Sequence, residues 1–380
     1  MQARAERERD SAKPSGNGPA SNYMKEITAI LDSAAEGGRI TSDEAIRLFE
    51  EADLFDLATC ADRIRQRLHP DNVISYIIDR NINYTNVCKE FCTFCAFYRV
   101  KGDAEAYVLP DHVIFTKIEE TLALGGTGIL MQGGVHPDLK IDYYERLLSG
   151  IKQRFRIHCH CFSPPEILNI AKVSKVSIAD VFTRLKSAGL DSMPGGGGEI
   201  LDDEIRESIS PLKCKTDEWM LVHREAHGLG LRTTATMMIG VGETIHHRIR
   251  HLQRLRDLQD ETGGFTAFIP WTFQPENTEL AQRNLPEVTA AEYLRLLALS
   301  RIYLDNFSNV QVSWLTVGLK VGQVGLRFGV NDMGSIMIEE NVISAAGARN
   351  RANDAELRRV IQDAGFVPRQ RTTLYERYVN

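Results

Sequence analysis

Long apolar runs are missing from this sequence, and so is any excess of positive charge. No stretch of its 380 residues approaches the roughly 18 consecutive apolar residues that a membrane helix needs. The amino-terminal Met1–Asn22 is charged and rich in Gly, Ser and Pro, so it does not resemble a secretory signal. A formal net charge of -6 argues against nucleic acid as the main partner. We therefore expect a cytoplasmic protein that acts on a small molecule and does not insert into a membrane.

The sequence also lacks the cysteine pattern of a disulfide framework. Seven cysteines are an odd number, and in a chain this long they suit a reducing compartment better than an oxidising one. With 43% hydrophobic and 25% charged residues, the composition is that of an ordinary globular protein. Three of the cysteines fall within positions 88–95, and this cluster is the most informative feature of the chain.

Periodic patterns divide the chain into a helical preface and a long alternating region. Apolar residues recur at helical spacing from Tyr23 to Leu68, with a capping signal at Ser42–Glu44. We assign 1–22 to a disordered tail and 23–70 to an N-terminal helical segment. After Pro70, short apolar runs alternate with amphipathic segments, which is typical of βα units. The predicted strands are Val73–Tyr84, Gly128–Gln132, Phe155–Phe162, Leu190–Met193, Leu231–Ile239, Phe265–Trp271 and Val310–Thr316. The predicted helices between them are Tyr143–Phe155, Ala179–Ala188, Asp202–Gly228, Ile245–Gln259 and Ala290–Phe307.

Strands joined by helical crossovers predict a parallel sheet, because parallel neighbours need a long connection. The pattern favours an α/β fold, a (β/α) TIM-type barrel that is complete or nearly so, since neither a strand-order switch nor a dinucleotide fingerprint is evident. We assign this barrel to 71–345, with any eighth strand drawn from Gly318–Ile338. Residues 346–380 are expected to form a C-terminal extension, in which a helix over Ala352–Ala364 precedes a basic tail packed on the barrel's outside.

A CxxxCxxC motif, formed by Cys88, Cys92 and Cys95, follows the first predicted strand directly. In a (β/α) barrel this is the end of the strand at which active sites lie. Three thiolates on one loop can bind three corners of a cubane iron–sulfur cluster and leave one iron without a protein ligand. Zinc is an alternative, although structural zinc usually uses paired CxxC elements, and simple burial of the cysteines is another.

This motif, with the aromatic Phe94 before its third cysteine, resembles the radical S-adenosylmethionine (SAM) superfamily. The resemblance implies that Cys88, Cys92 and Cys95 bind a [4Fe-4S] cluster whose open iron is chelated by SAM, and that the Phe94 backbone lies near adenine. It also implies cleavage of SAM to a 5′-deoxyadenosyl radical that abstracts hydrogen from the substrate. The cofactor then supplies the chemistry, while the barrel orients it and excludes water.

Further matches follow the later predicted strands. In the superfamily a glycine pair after the second strand receives the methionyl amino group, a role that falls here to Gly133 and Gly134, with a tight turn as the alternative. Four glycines at 195–198 can lie against a ligand, although a flexible lid or a plain linker would use the same residues. The segment 240–243 resembles an adenine contact. The residues expected at the cofactor are Phe94, Gln132, Gly133, Gly134, Ser163, Ser192, Gly240 and Glu243.

The third predicted strand alternates histidine and cysteine. His158 and His160 share one face, and Cys159 and Cys161 share the other. We favour the histidines toward the barrel interior, because imidazole moves protons near neutral pH, and the small cysteines against the helices. The reverse orientation, or a purely structural role for one histidine, is the alternative.

Longer matches resemble the dehypoxanthine futalosine cyclase family of menaquinone biosynthesis; they are Asp79–Asn86, Cys95–Arg99, His160–Glu166, Ser192–Glu199 and Asn331–Val342. The resemblance implies abstraction of the ribose C4′ hydrogen of dehypoxanthine futalosine and ring closure on its benzoate. A base must then accept a proton, for which His160 and Glu166 are the candidates. It also implies an external electron donor such as flavodoxin or ferredoxin.

Two other classes of function stay open from the sequence. Sister enzymes on the same scaffold, aminofutalosine synthase and an enzyme that couples a tyrosine fragment to a ribityl uracil, would need only a different substrate pocket. An electron carrier would need a fourth cysteine ligand, for which Cys60, Cys159, Cys161 and Cys214 are available.

Overall fold

The computed structural model describes residues 19–379, and side chains from Lys25 onward. Of the tail predicted over 1–22, residues 1–18 lie outside the described residues, and residues 19–22 belong to the first helix. The helices are α1 (Pro19–Ala35), α2 (Ser42–Glu51), α3 (Leu54–Leu68), α4 (Asp111–Ala123), α5 (Ile141–Arg154), α6 (Pro164–Ser174), α7 (Ile178–Ala188), α8 (Asp203–Ile209), α9 (Thr216–Gly228), α10 (Ile245–Thr262), α11 (Ala290–Tyr303), α12 (Trp314–Gly325), α13 (Val342–Ala345) and α14 (Asp354–Asp363), with a short 3₁₀ helix at Leu280–Arg283.

All strands of the central sheet run parallel, as the predicted βα units require. The strands are β1 (Val73–Ile77), β2 (Asp79–Ile82), β3 (Gly128–Met131), β4 (His158–Cys161), β5 (Ser192–Met193), β6 (Arg232–Ile239), β7 (Phe265–Thr272), β8 (Asn309–Val310), β9 (Asp332–Ser335) and β10 (Val367–Gln370). Seven of them, β2 to β8, form one sheet in sequence order, and a second sheet has the order β10-β1-β9. The α/β barrel fold class predicted from the sequence is confirmed.

The two sheets join into one ring. A parallel bridge between Gln311 and Asp332 connects the end of β8 to β9, β9 pairs with β1, and β1 continues through Ile78 into β2. The eighth strand of the ring is therefore β9, which lies within the region Gly318–Ile338 from which the sequence predicts it. The strand predicted over Val73–Tyr84 is two strands, because its first half pairs with β9 and β10 and its second half with β3.

The C-terminal tail differs from the prediction. The helix α14 is present, but the residues after it form β10 inside the β-structure, parallel to β1. The next residues cross the amino-terminal end of the barrel, where Arg371, Thr373 and Tyr375 line the interior. The expectation that this tail packs on the outside was wrong. A buried ion pair explains its position: Arg371 Nε and Nη2 donate to the two Asp332 carboxylate oxygens at 2.6 and 2.9 Å.

The hydrophobic core lies between the strands and the surrounding helices in two clusters. One cluster covers β3 to β5 under α4 to α7, and the other covers β6 to β8 and extends to the N-terminal helices. The preface α1–α3 packs on α10 and α11 outside the ring. A capping box between Thr41 and Glu44 begins α2, one residue before the predicted signal. Within residues 19–379, no helix combines the length and the apolar character needed to cross a membrane.

Candidate active site

A cavity of ≈ 420 Å³ occupies the barrel interior, from the cysteine loop at the carboxyl ends of the strands to the C-terminal tail at the other end. This is the position at which barrel enzymes bind their substrates. Ten residues predicted at the site line the cavity: Cys88, Cys92, Phe94, Cys95, Gln132, Gly133, Gly134, His160, Ser163 and Glu166.

The loop that carries the cysteines follows β2 and is fixed by backbone hydrogen bonds to three parts of the molecule. Cys88 N donates to Arg99 O at 3.0 Å within the loop, and Cys95 N donates to Cys92 O at 3.1 Å. Thr93 N donates to Ile209 O at the end of α8 (2.9 Å), and Leu280 N donates to Thr93 O (2.8 Å). The barrel thus holds three thiols at one end of the cavity.

The spacing of these sulfurs tests the zinc alternative. Four sulfurs around one tetrahedral zinc at about 2.3 Å would lie about 3.8 Å apart. Between residues 25 and 379, one group of three side chains has all its ligand atoms within 4.8 Å of one another, namely Asp202, Glu204 and His247. The three cysteines do not form such a group. At least one pair of these sulfurs is therefore more than 4.8 Å apart, which is wider than a single zinc requires.

The donor set also suits an iron–sulfur cluster chemically. All three cysteines are free thiols, and burial raises the pKa of Cys88 and of Cys92. A thiol held protonated by burial becomes a thiolate when a metal displaces its proton. Beside them, Lys213 Nζ lies 5.3 Å from the centroid of the Phe94 ring and donates to Glu199 Oε1 at 3.0 Å.

Two buried carboxylates border the same end of the cavity. Among the described residues, Glu90 Oε2 and Glu199 Oε2 are shielded from solvent and have no hydrogen-bond partner, although Glu199 Oε2 lies 3.9 Å from Arg206 Nη1. Burial raises the pKa of Glu90. An unpaired buried oxygen is costly, and the charge of Arg206 offsets part of this cost for Glu199.

Glycines allow the cysteine loop to lie directly against the end of β3. A Cβ added to Gly134 would lie 2.3 Å from Val87 O and 3.0 Å from Cys88 Cβ, and one on Gly133 would lie 2.8 Å from the Tyr84 ring. Real side chains never approach backbone that closely. The glycine pair is therefore required for the packing of the loop, whatever ligand it also meets.

Glu166 holds this region together. Its Oε2 accepts from Ser163 N (2.7 Å) and Ser163 Oγ (2.6 Å), which makes the capping box of α6. Its Oε1 accepts from Tyr84 Oη (2.7 Å) and Gly133 N (3.1 Å). Burial raises the pKa of Glu166 to about 6, even though these four hydrogen bonds lower this pKa. Both oxygens are occupied by protein donors, so the carboxylate acts as a positioning group.

The four-glycine loop is anchored. The buried Arg206 Nη1 donates to the carbonyls of Gly197 (3.1 Å) and Gly198 (2.8 Å), and Trp219 Nε1 donates to Gly196 O (3.3 Å). A Cβ on Gly196 would lie 2.4 Å from Gln132 Nε2. These contacts argue against the lid and linker alternatives, and they place the loop against the cavity wall.

In β4, His160 and the two cysteines face the directions that the sequence predicts. Cys159 and Cys161 are buried in the apolar cluster against α5 and α6, and His160 lines the cavity. His160 Nδ1 lies 2.6 Å from Ser192 Oγ, and the same oxygen lies 2.7 Å from His158 Nε2. Burial, with the charges of His158 and Arg371, lowers the pKa of His160 to about 3, so this imidazole is neutral at physiological pH.

Three residues predicted to bind the cofactor lie elsewhere. Ser192 sits behind His160 and does not line the cavity. Gly240 and Glu243 lie in the loop after β6, outside the cavity lining. The Glu243 carboxylate accepts from Gly240 N at 2.9 Å and from Arg248 Nη2 at 2.7 Å, and so serves its own loop.

Several lining residues escaped the sequence analysis. Asp79, Asn81 and Asn83 point inward from β2 and its end, and their period of two within a strand pattern was the available signal. Lys213 lies in a break between α8 and α9 that was predicted as continuous helix, although Pro211 marks it. No sequence pattern around Arg371 predicts that its side chain lies inside the barrel.

Comparison with known proteins agrees with this geometry. Residues 82–255 match the radical SAM superfamily model, and residues 262–379 match the CofH/MqnC C-terminal region. A "cyclic dehypoxanthine futalosine synthase" of Halalkalibacterium halodurans is 48% identical over 92% of this chain and 94% of its own. This chain belongs to that family of radical SAM enzymes. A Streptomyces coelicolor relative of the same name is 46% identical over 93% of this chain and 89% of its own.

More distant members of the superfamily share the scaffold. A "5-amino-6-(D-ribitylamino)uracil--L-tyrosine 4-hydroxyphenyl transferase" of Methanoculleus marisnigri is 39% identical over 92% of this chain and 97% of its own. Among solved structures, methylornithine synthase (PylB) superposes with a TM-score of 0.68 at 19% identity, over 89% of this chain and 97% of its own. The hydrogenase maturase HydG of Carboxydothermus hydrogenoformans superposes with a TM-score of 0.73 at 17% identity, over 94% of this chain and 82% of its own. These structures support the fold alone.

Radical SAM enzymes use a [4Fe-4S] cluster and SAM, and the residues present suit both. The three thiols lie at the carboxyl end of the barrel and can serve as cluster ligands. Glu90 and Glu199 line the same cavity. The recognition of the radical SAM superfamily from the cysteine motif, and of the cyclase family within it, is confirmed.

Proposed function

We propose that this chain converts dehypoxanthine futalosine into cyclic dehypoxanthine futalosine in menaquinone biosynthesis. The observation that carries the proposal is a cavity in which three thiols and a neutral imidazole, His160, line the same space. Its support is the 46–48% identity to relatives of that name over more than nine-tenths of this chain.

When bound, the cluster and SAM would supply the radical chemistry that removes the ribose C4′ hydrogen and would accept the electron released at the end. The chain's own residues do the rest. Cys88, Cys92 and Cys95 bind the cluster. Phe94, Gln132, Gly133, Gly134 and Ser163 remain the proposed cofactor contacts, because all of them line the cavity.

We assign the proton acceptor to His160. Ring closure forms a carbon–carbon bond to the benzoate ring, and rearomatisation then releases one proton and one electron. A base must reach that proton and be unprotonated at the outset. His160 meets both conditions, since it lines the cavity and the lowered pKa keeps it neutral. Glu166, the other candidate, has both oxygens engaged by protein donors and keeps a positioning role.

The closed end of the barrel protects radical chemistry. Arg371, Thr373 and Tyr375 of the tail cover the amino-terminal end of the cavity, and the Arg371–Asp332 pair fixes them there. Excluding water from an active site prevents side reactions of reactive intermediates. An external donor such as flavodoxin or ferredoxin would deliver the electron. Seven free cysteines support a location in the reducing cytoplasm.

The test is anaerobic incubation of the reconstituted protein with SAM, a reductant and dehypoxanthine futalosine. We expect 5′-deoxyadenosine and a product two hydrogens lighter than the substrate. An adduct that contains deoxyadenosine would move the function to that of an aminofutalosine synthase. Turnover with tyrosine and a ribityl uracil, and none with the futalosine substrate, would favour the activity named for the archaeal relatives.

A further inference from the structure

Three side chains connect the cavity to the amino-terminal end of the barrel. His160 Nδ1 lies 2.6 Å from Ser192 Oγ, and Ser192 Oγ lies 2.7 Å from His158 Nε2. His160 lines the cavity, Ser192 is fully buried, and His158 is partly exposed. The series therefore begins at the reaction space and ends near solvent.

The sheet explains why a single hydroxyl fits between the two rings. His158 and His160 are two residues apart on β4, so they share a face about 6.6 Å apart along the strand, too far for a direct hydrogen bond. The parallel register of β4 and β5 places Ser192 opposite His160. A hydroxyl both donates and accepts, so this oxygen can bond both imidazoles at once.

The charges around the series favour release of a proton at its outer end. His160 is faced by His158 and Arg371, and burial with these two charges lowers the pKa of its imidazole to about 3. Burial lowers the pKa of His158 as well; of the charges around it, Asp191 and Glu376 favour its protonated form, and Lys152 opposes it. A proton that reaches His160 is poorly held there, and the two nearby carboxylates lie at the His158 end.

Three other ionisable groups of the cavity are held by protein partners. Lys213 is cationic and bonded to Glu199, Arg371 is bonded to Asp332 by two hydrogen bonds, and Glu166 accepts from four protein donors. Because Nδ1 of His160 bonds Ser192, its Nε2 on the opposite side of the ring is the atom left for a bound substrate.

We propose that His160, Ser192 and His158 form a proton relay that carries the proton of rearomatisation out of the amino-terminal end of the barrel. The proposal rests on the proposed function. The substrate C–H proton bonds to His160 Nε2, the Nδ1 proton passes to Ser192 Oγ, the hydroxyl proton passes to His158 Nε2, and His158 Nδ1 releases one to water. The electron leaves separately, to the oxidised cluster. His160 is the catalytic residue, and Ser192 and His158 are positioning and transfer residues.

Ser192→Ala tests the relay through the ratio of cyclised product to 5′-deoxyadenosine. Hydrogen abstraction precedes the relay, so deoxyadenosine should still form. We expect the ratio to fall about tenfold or more, and the solvent deuterium isotope effect on product formation to change. His158→Gln, which keeps a polar side chain but cannot carry the proton onward, should give a similar loss. The double variant should be no worse than either single one, because all act on one path.

The chain offers a matched control. Thr233 Oγ1 lies 2.9 Å from His223 Nδ1 and 2.7 Å from His227 Nε2, which is the same histidine–hydroxyl–histidine arrangement between α9 and β6, away from the cavity lining. Thr233→Val removes that hydroxyl and should leave the product ratio unchanged. An unchanged ratio in both Ser192→Ala and His158→Gln would overturn the relay, as would an equal loss in Thr233→Val.

A second readout needs no turnover. In the cofactor-free protein labelled with ¹⁵N-histidine, Ser192→Ala should shift the ring-nitrogen signals of both His158 and His160, because they share one hydroxyl. Independent responses of the two rings would contradict the relay. If the wild-type protein makes no cyclised product, the proposed function fails, while this spectrum still decides whether the series is coupled.

Discussion

At the scale of single residues, the cavity contains two kinds of polar group. Glu166, Glu340 and Arg371 are fully engaged by protein partners: three backbone N–H groups of 342–344 bond Glu340, and Asp332 holds Arg371. Glu90 Oε2 and Glu199 Oε2 have no hydrogen-bond partner but are shielded from solvent, and the three cysteines are free thiols, of which Cys88 accepts a hydrogen bond from Glu90 N at 3.4 Å. The engaged groups shape the cavity, and the free thiols are the groups that a metal can bind.

The cysteine motif gives the first prediction. Cys92→Ser should remove iron from the reconstituted protein and abolish SAM cleavage, because a serine hydroxyl is a poor substitute for a thiolate ligand. The barrel should stay folded, since the loop lies at its end. Cys60→Ser is the control, for Cys60 lies in α3 and its thiol donates to Leu31 O. Iron per chain, deoxyadenosine formation and circular dichroism measure these effects; global unfolding of Cys92→Ser would contradict the placement.

Gly134 gives the second prediction. Gly134→Ala should lower cluster content and SAM cleavage several-fold, because its Cβ would meet Val87 O at 2.3 Å and push the cysteine loop away from β3. Gly228→Ala is the matched control at the end of α9, where a Cβ meets nothing within 4 Å. Iron and sulfide analysis after reconstitution distinguishes the two. Normal iron content in Gly134→Ala would show that the loop does not need this close contact.

At the scale of elements, the sequence predicts what depends on local pattern and misses what depends on distant pairing. The existence and order of the βα units follow from periodicity, so β3, β4, β6 and β7 lie where they were predicted. The break at Ile78 carries no local signal, because it arises when β1 pairs with β9 and β10 from the far end of the chain. By contrast, Pro211 is a local sequence signal for the break between α8 and α9.

The tail gives a prediction at this scale. Arg371→Met should destabilise the protein by about 3–5 kcal/mol, because it leaves the buried Asp332 carboxylate without its cation. Arg369→Met, two residues earlier in β10, is the control; its side chain is exposed, and the change should alter stability by less than about 0.5 kcal/mol. Urea unfolding followed by fluorescence measures both. Equal stabilities for the two variants would mean that the tail does not depend on this ion pair.

At the scale of the whole molecule, the barrel separates two tasks along its axis. The cysteine loop lies at the carboxyl end, and the tail covers the opposite end. The cysteine loop could be predicted because cysteine spacing and glycine pairs are local signals. The position of the tail could not, since Arg371 enters the barrel only through the pairing of β10 with β1. Ser192 was predicted as a cofactor contact, but the register of β5 turns it toward the two histidines.

Buried neutral histidines make the stability of the whole barrel depend on pH. Burial lowers the pKa of His160 and His251 to about 3 and of His227 to about 4. A histidine near 6.5 in the unfolded chain binds a proton there first, so its contribution to stability is full above about pH 6.5 and is lost as the pH falls. Glu166 and Asp79, whose pKa burial raises to about 6, oppose this trend below that pH.

His251→Gln isolates one such group. His251 is buried in α10, accepts from Leu201 N at 2.9 Å and is faced by the charges of Arg206 and Arg254. Between about pH 4.5 and 6, the unfolding free energy of the wild type should rise by about 1.4 kcal/mol more per pH unit than that of the variant. The exposed His246 lies on the same helix, and His246→Gln serves as the control for replacing a histidine there. Denaturant unfolding at several pH values measures the slopes, and a constant offset from lost packing does not affect them. Parallel curves for His251→Gln and the wild type would mean that His251 titrates alike in the folded and unfolded chains.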